Sequence, residues 1–188
     1  MDELGNPVPR RVRADPGLAT SMQIRAPDSA EQLDQVRALM RAFVAWHRER
    51  HVQDIHLINA YFDAWAFEEE LAALPGDYAP PDGALALAYW DGAAAGCVAL
   101  RRIDTAACEM KRMFVYPQFH GKGVGRALGD AIIREAKSAG YSVMRLDTSV
   151  RQMEAQQLYA RLGFRRIAPY YELPSALRDW LVFMELVL

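Results

Sequence analysis

Cysteine is scarce in this chain: Cys97 and Cys108 are the two among 188 residues. Two thiols are too few for the disulfide framework of a small secreted domain or for a cysteine-based metal cluster, and they point to a reducing compartment, the cytoplasm. Histidine is scarce too. Three of the four histidines crowd between His47 and His56, where no carboxylate or cysteine falls at a recognised metal spacing. That run reads as a solvated linker or as the wall of a substrate pocket. Neither sign of charge dominates, with 22 Lys and Arg against 24 Asp and Glu, a net charge of −2 and a pI near 6.1. A nucleic-acid surface needs clustered Lys and Arg, so no polyanion partner is expected. Long apolar runs are missing as well. Arg10, Arg11 and Arg13 stand among Pro7, Pro9 and Pro16 with no apolar h-region behind them, so the opening stretch is neither a signal peptide nor a membrane span. Residues 1–20 read as a flexible leader. Residues 21–188 read as a single domain, since no internal repeat or low-complexity linker divides them, and 52% hydrophobic content suits one core.

What the chain does have is periodicity. Met22 to Arg25 reads as a first strand. Asp28 with Glu31 matches a capping box, and Leu33, Val36, Leu39, Met40, Phe43 and Val44 then recur at helical spacing to about Glu49. A second helical pattern, from about Asn59 to Leu74, is stopped by Pro75-Gly76. Ala84 to Trp90 and Ala93 to Arg102 form a hairpin about Asp91-Gly92, and a turn through Asp104 to Ala107 delivers the chain to a strand from Cys108 to Val115. A helix ending at Gly140 and a strand from Ser142 to Asp147 follow, and strand, helix, strand implies a right-handed crossover and a parallel pair. A helix closed by Gly163 and a last strand from Leu181 to Leu188 complete an α/β fold. Its sheet is mixed and largely antiparallel, of six to seven strands, flanked by about four helices.

The chemistry concentrates in Glu109 to Leu128, EMKRMFVYPQFHGKGVGRAL. Pro117 ends the apolar strand because it has no N–H for a ladder. The loop His120-Gly121-Lys122-Gly123-Val124-Gly125 follows, and Arg126-Ala127-Leu128 begin a helix. Amides uncovered by Cβ atoms at a helix N-terminus make a site for a phosphate or pyrophosphate. Two other glycine loops are excluded. The dinucleotide pattern G-x-G-x-x-G would need glycine in place of Arg126 or Leu128, and the G-x-x-x-x-G-K loop would need it in place of Tyr116.

The surviving pattern is (Gln/Arg)-x-x-Gly-x-(Gly/Ala), with His120, Gly123 and Gly125 in its fixed positions. A second motif is Ala155-x-x-Leu158-Tyr159-x-x-x-Gly163-Phe164, in which Tyr159, by spacing alone, is a core position on an apolar helical face. With these two motifs, the chain from about Met22 to Leu188 resembles the GCN5-related N-acetyltransferase (GNAT) family. The resemblance implies that the loop His120, Gly121, Lys122, Gly123, Val124, Gly125 and Arg126 holds the pyrophosphate of acetyl-coenzyme A. The strand edge Met113, Phe114 and Val115 would pair with the pantetheine arm, in a cleft where the parallel strands splay apart. Tyr159 would sit beside the coenzyme sulfur, with Gln152 where the family often has Asn. His120 stands where Gln or Arg is usual.

An amine with a pKa near ~10.4 must lose a proton before or during attack on a thioester, and the departing thiolate benefits from a donor. The resemblance makes Glu109 the base, acting directly or through water, and Tyr159 the acid; Asp147 is the rival carboxylate. Tyr170 and Tyr171 are expected to overhang the acceptor end. The implied function is acetyl transfer from acetyl-coenzyme A, as cosubstrate and without a metal, to a primary amine by direct attack on the thioester. The acceptor would be a small molecule or a peptide amine, with no nucleic acid or membrane partner, and family habit favours a homodimer. The alternative is a non-catalytic acyl-coenzyme-binding sensor or interaction module.

Overall fold

A computed structural model describes residues 21–188, so the leader expected over 1–20 lies outside the described residues. Seven strands form one sheet in the order β1-β2-β3-β4-β5-β7-β6: β1 Met22–Arg25, β2 Ala84–Trp90, β3 Ala93–Arg102, β4 Ala107–Val115, β5 Val143–Ser149, β6 Arg165–Ile167 and β7 Leu181–Val187. All neighbours are antiparallel except β4 and β5, as strand, helix, strand required. Asp91 and Gly92 both take positive φ, 49° and 82°, in the tight turn that the Asp-Gly pair selects.

Both faces of the sheet are covered, which is why its central strands read as nearly unbroken apolar runs. Leu87, Cys97 and Ala99 face one side, where α1 (Ala30–Arg50), α2 (Ile55–Tyr61) and α3 (Ala64–Ala73) bring Val36, Leu39, Met40, Ile58 and Leu71. Ala86, Ala88, Val98 and Leu100 alternate to the other side, against Leu128, Ile132 and Ala136 of α4 (Val124–Ser138). The remaining helices are α5, Met153–Arg161, and the short α6, Ser175–Arg178.

Three expectations need correction. The N-cap of α1 is Ser29, whose Oγ accepts from Gln32 N at 3.3 Å while Gln32 Oε1 accepts from Asp28 N at 2.9 Å; the box is displaced by one residue from Asp28 and Glu31. The second helical pattern is two helices, because Asp63 caps a new one by accepting from Ala66 N at 2.9 Å. With α6, that break makes six helices among the described residues rather than about four. The histidine run is no solvated linker. His47, on the last turn of α1, and His51, its C-cap, are buried, and Asp54 takes Trp180 Nε1 at 3.1 Å and Arg151 Nε at 2.8 Å, tying the segment to the start of β7 and the end of β5.

The site is set by where β4 and β5 part. Their parallel ladder covers three pairs, Ala107 with Val143, Cys108 with Met144 and Glu109 with Arg145. Beyond it β5 pairs with β7 as far as Ser149, and β4 continues to Val115 bonded only to β3. Just past the separation β4 carries a bulge: Ala99 faces Lys111 but Cys97 faces Phe114, and Arg112 takes φ 55° to absorb the extra residue. Gly96 lies opposite the far end of this bulge. A Cβ there would stand 2.6 Å from Phe114 O and 3.1 Å from Leu128 Cδ1. Gly96→Val should therefore cost on the order of 1–3 kcal/mol of stability with an unchanged urea m-value. A wild-type denaturation midpoint would show that β3 and β4 have slack at this crossing.

Candidate active site

Two connected hollows occupy the parted strands. The larger is a groove of about 520 Å³ between the free edge of β4, the glycine loop with the start of α4, and α5, with Trp46 and Arg50 of α1 on its flank. Gly121 and Gly123 take φ of 76° and 82°, a region that side chains with a Cβ avoid, and Gly123 is the N-cap of α4 with no side-chain capping bond. The first-turn amides of α4 have no partner within the helix, so they are open to an anion. Gly125 has a different use. A Cβ on it would meet Leu158 Cδ2 at 3.3 Å, so its bareness lets α5 close on α4.

Met113, Phe114, Val115, His120, Gly121, Gly123, Val124, Gly125, Arg126, Gln152 and Tyr159 all line this groove. Lys122 does not; its Nζ lies 5.1 Å from the Trp90 ring centre and 5.3 Å from that of Phe119. His120 Nε2 is 2.8 Å from Val115 O and donates to it, which draws the loop back onto the end of β4.

The smaller hollow, about 50 Å³, lies deeper between β4 and β5 under α1 and α2. Phe43, Met113, Gln152 and Tyr159 belong to both walls and mark the junction. Tyr159 is only 6% exposed. Burial, and next the charge of Asp147, push its phenol well above the usual tyrosine range, so it keeps its proton.

Asp147 lines the small hollow, and Glu109 does not. Asp147 accepts from Tyr61 Oη, from Lys111 Nζ at 3.2 Å and from Tyr171 Oη at 3.1 Å. Glu109, 1% exposed, accepts from Arg101 Nε at 2.6 Å and from Tyr170 Oη at 2.6 Å, with Lys111 Nζ 3.8 Å away. Lys111 therefore sits between the two carboxylates, and Tyr170 and Tyr171 reach one each from the segment before α6. Lys111 was missed in the sequence, although it shares a face of β4 with Glu109 by strand alternation. Tyr61 was missed because only tertiary folding brings α2 onto β5.

His47 also faces the small hollow. It is 3% exposed, its Nδ1 has no partner, and its Nε2 meets the Gln152 carboxamide. Burial first, then the neighbouring His51 and Arg50, push its pKa from 6.5 to about 4. No group of three or more His, Cys, Asp or Glu side chains that could hold a metal occurs among the described residues.

A groove that meets a bare helix N-terminus, with a buried hollow adjoining it, offers backbone amides to an anion-bearing chain. A model of the acetyltransferase (GNAT) family matches residues 52–164, and the chain belongs to that family. It is an acetyl-coenzyme A-dependent N-acetyltransferase. An uncharacterized N-acetyltransferase of Dictyostelium discoideum is 26% identical over 82% of this chain and 95% of its own length. N-acetylaspartate synthetase of Danio rerio is 35% identical over 69% of this chain, which spans 47% of that protein. The fold is that of the PaiA N-acetyltransferase of Thermoplasma acidophilum, solved in complex with coenzyme A, with a TM-score of 0.69 and 19% identity over 89% of this chain and 99% of that one.

His47 generates a pH prediction. Its folded pKa near 4 lies below the ordinary 6.5, so as pH falls the unfolded chain takes up the proton first. Its contribution to stability is whole above about pH 6.5 and is lost progressively towards about pH 4, by roughly 3 kcal/mol. Urea denaturation across that window should show a shallower pH slope for His47→Phe than for wild type. Equal slopes would mean that the imidazole is not held neutral.

Proposed function

We propose that residues 21–188 act as one catalytic domain in which the groove holds acetyl-coenzyme A and the small hollow receives the primary amine. The amides at the start of α4 take the pyrophosphate, the free edge of Met113 to Val115 takes the pantetheine arm, and the thioester lies at the junction. The observation that carries this reading is the Tyr159 phenol, protonated by its surroundings and standing in both walls. The amine nitrogen attacks the thioester carbon directly and gives its proton to a wall carboxylate, the C–S bond breaks, and Tyr159 protonates the departing sulfur.

The carboxylate nearest the amine in this reading is Asp147, because it forms the wall. Glu109, enclosed by Arg101 and Tyr170, supports a place one step back, acting on Asp147 through Lys111. Both cysteines are buried and unpaired, which suits a reducing compartment such as the cytoplasm, and no helix among the described residues is long and apolar enough to cross a membrane. The name of the zebrafish relative makes aspartate one acceptor to consider.

Tyr159→Phe keeps the ring and removes the donor, so turnover should fall on the order of a hundredfold with coenzyme affinity nearly unchanged. Full turnover, with chemistry limiting, would leave Tyr159 as packing only. The two carboxylates separate in the acidic limb of the rate profile. Asp147→Asn should abolish that limb and lower turnover by about 10² to 10⁴-fold, whereas Glu109→Gln should shift the limb and cost less. If Glu109→Gln abolishes the limb and Asp147→Asn keeps it, Glu109 is the base.

A further inference from the structure

The acceptor can be narrowed by charge, in an argument that rests on the transferase reading above. The charged side chains lining the small hollow among the described residues are Lys111, Arg112 and Asp147. Neither cation is free. Arg112 grips Glu70 through two nitrogens, Nε at 2.8 Å from Oε1 and the second on Oε2, and its guanidinium lies 5.3 Å from the ring centres of both Phe62 and Phe67. Lys111 is engaged by Asp147, by Tyr61 and, further off, by Glu109, which also takes Arg101. Three cations thus meet three carboxylates. His47 cannot supply a fourth cation near neutral pH, because burial keeps its imidazole uncharged.

An acceptor carboxylate entering this hollow would be a buried anion with no unmatched cation to meet it, and the cost of such a charge is large. An amine meets the opposite situation. It finds the Asp147 carboxylate, and it must arrive or become neutral to attack, so it leaves the internal balance intact. The rest of the wall is apolar, with Phe43, Phe62, Met110, Trp180 and Leu181 around a space of about 50 Å³. That volume takes a few heavy atoms, so only the amine-bearing end of an acceptor enters.

We propose that the acceptor is a primary amine on an apolar, unbranched stem with no acid group beside the nitrogen, and that acidic amino acids such as aspartate are excluded by unmatched negative charge. Two sources offer this chemistry: a free alkyl or arylalkyl amine, and the side chain of a lysine within a peptide.

Thiol release from acetyl-coenzyme A by the full chain tests the proposal with five probes: phenethylamine, putrescine, a peptide with a single internal lysine and a blocked N-terminus, aspartate and glutamate. At least one of the first three should exceed both amino acids in kcat/KM by tenfold or more. Preference for the free amines or for the peptide then assigns the source. Aspartate or glutamate matching the best amine would overturn the inference while leaving the transferase reading intact. Release above the hydrolysis rate with none of the five would overturn both. A second arm asks whether charge is the selector. Glu70→Gln leaves Arg112 unmatched, so the ratio of kcat/KM for aspartate to that for the best amine should rise about tenfold. An unchanged ratio in a folded Glu70→Gln protein would overturn the inference.

Discussion

The structure turns on a ladder that stops after three pairs. Had β4 and β5 stayed hydrogen-bonded beyond Glu109 and Arg145, the edge from Met110 to Val115 would be satisfied by β5 and the space between the strands would be filled. The ladder ends where β4 gains an extra residue at the Arg112 bulge, and a bulge both bends a strand and increases its twist. Each strand keeps its other neighbour, β3 for β4 and β7 for β5, so the sheet survives the separation. A cleft made in this way exposes main-chain polar groups that cost free energy unless a ligand or water meets them. The cleft is thus poised for an extended, hydrogen-bonding cosubstrate.

The parted strands also explain why so many charges are buried. Lys111 lines the space beyond the separation from β4 and Asp147 lines it from β5, while Glu109, still laddered to Arg145, lies behind them 3.8 Å from Lys111 Nζ. They are kept by mutual contact and by three tyrosines, Tyr61, Tyr170 and Tyr171, which give hydroxyl hydrogens to the carboxylates. A fully connected network of this kind is rigid where a partly connected one would be costly. Under the proposed function that rigidity would serve chemistry, because the amine would meet groups that cannot easily rearrange.

Local chemistry made much of this legible in the sequence. The Asp91-Gly92 turn, the glycine loop before α4 and the Gly163 cap follow from a few adjacent residues, and each demands a backbone conformation that few residue types supply. The residues expected at the coenzyme lie along one groove, apart from Lys122, whose ammonium lies against the Trp90 and Phe119 rings instead. The small hollow was not readable. Arg112 takes its positive φ without being glycine, so nothing local marks the bulge. His47 looked like part of a polar run, yet it ends a helical stripe through Phe43 and Val44 whose continuation the surrounding Arg and Glu residues masked. Tyr61 and Asp147 are 86 positions apart, and only the packing of α2 over β5 joins them.

The two hollows are further tied through α5. Gly125 and Gly129 lie about one turn apart on α4 and present bare backbone to Leu158 and Leu162, where added Cβ atoms would come within 3.3 and 2.5 Å of those side chains. Tyr159 stands next to Leu158 on the same helix, so the depth to which α5 settles on α4 sets how far the phenol reaches into the junction. The glycine spacing that opens amides to an anion at the helix start therefore continues, one turn on, as a packing surface. A phosphate bound at the first turn of α4 would act on the helix against which Tyr159 is seated. Under the proposed function, coenzyme binding and the placement of Tyr159 would both depend on this close contact between two helices, which ties a pattern of small residues on α4 to a phenol on α5.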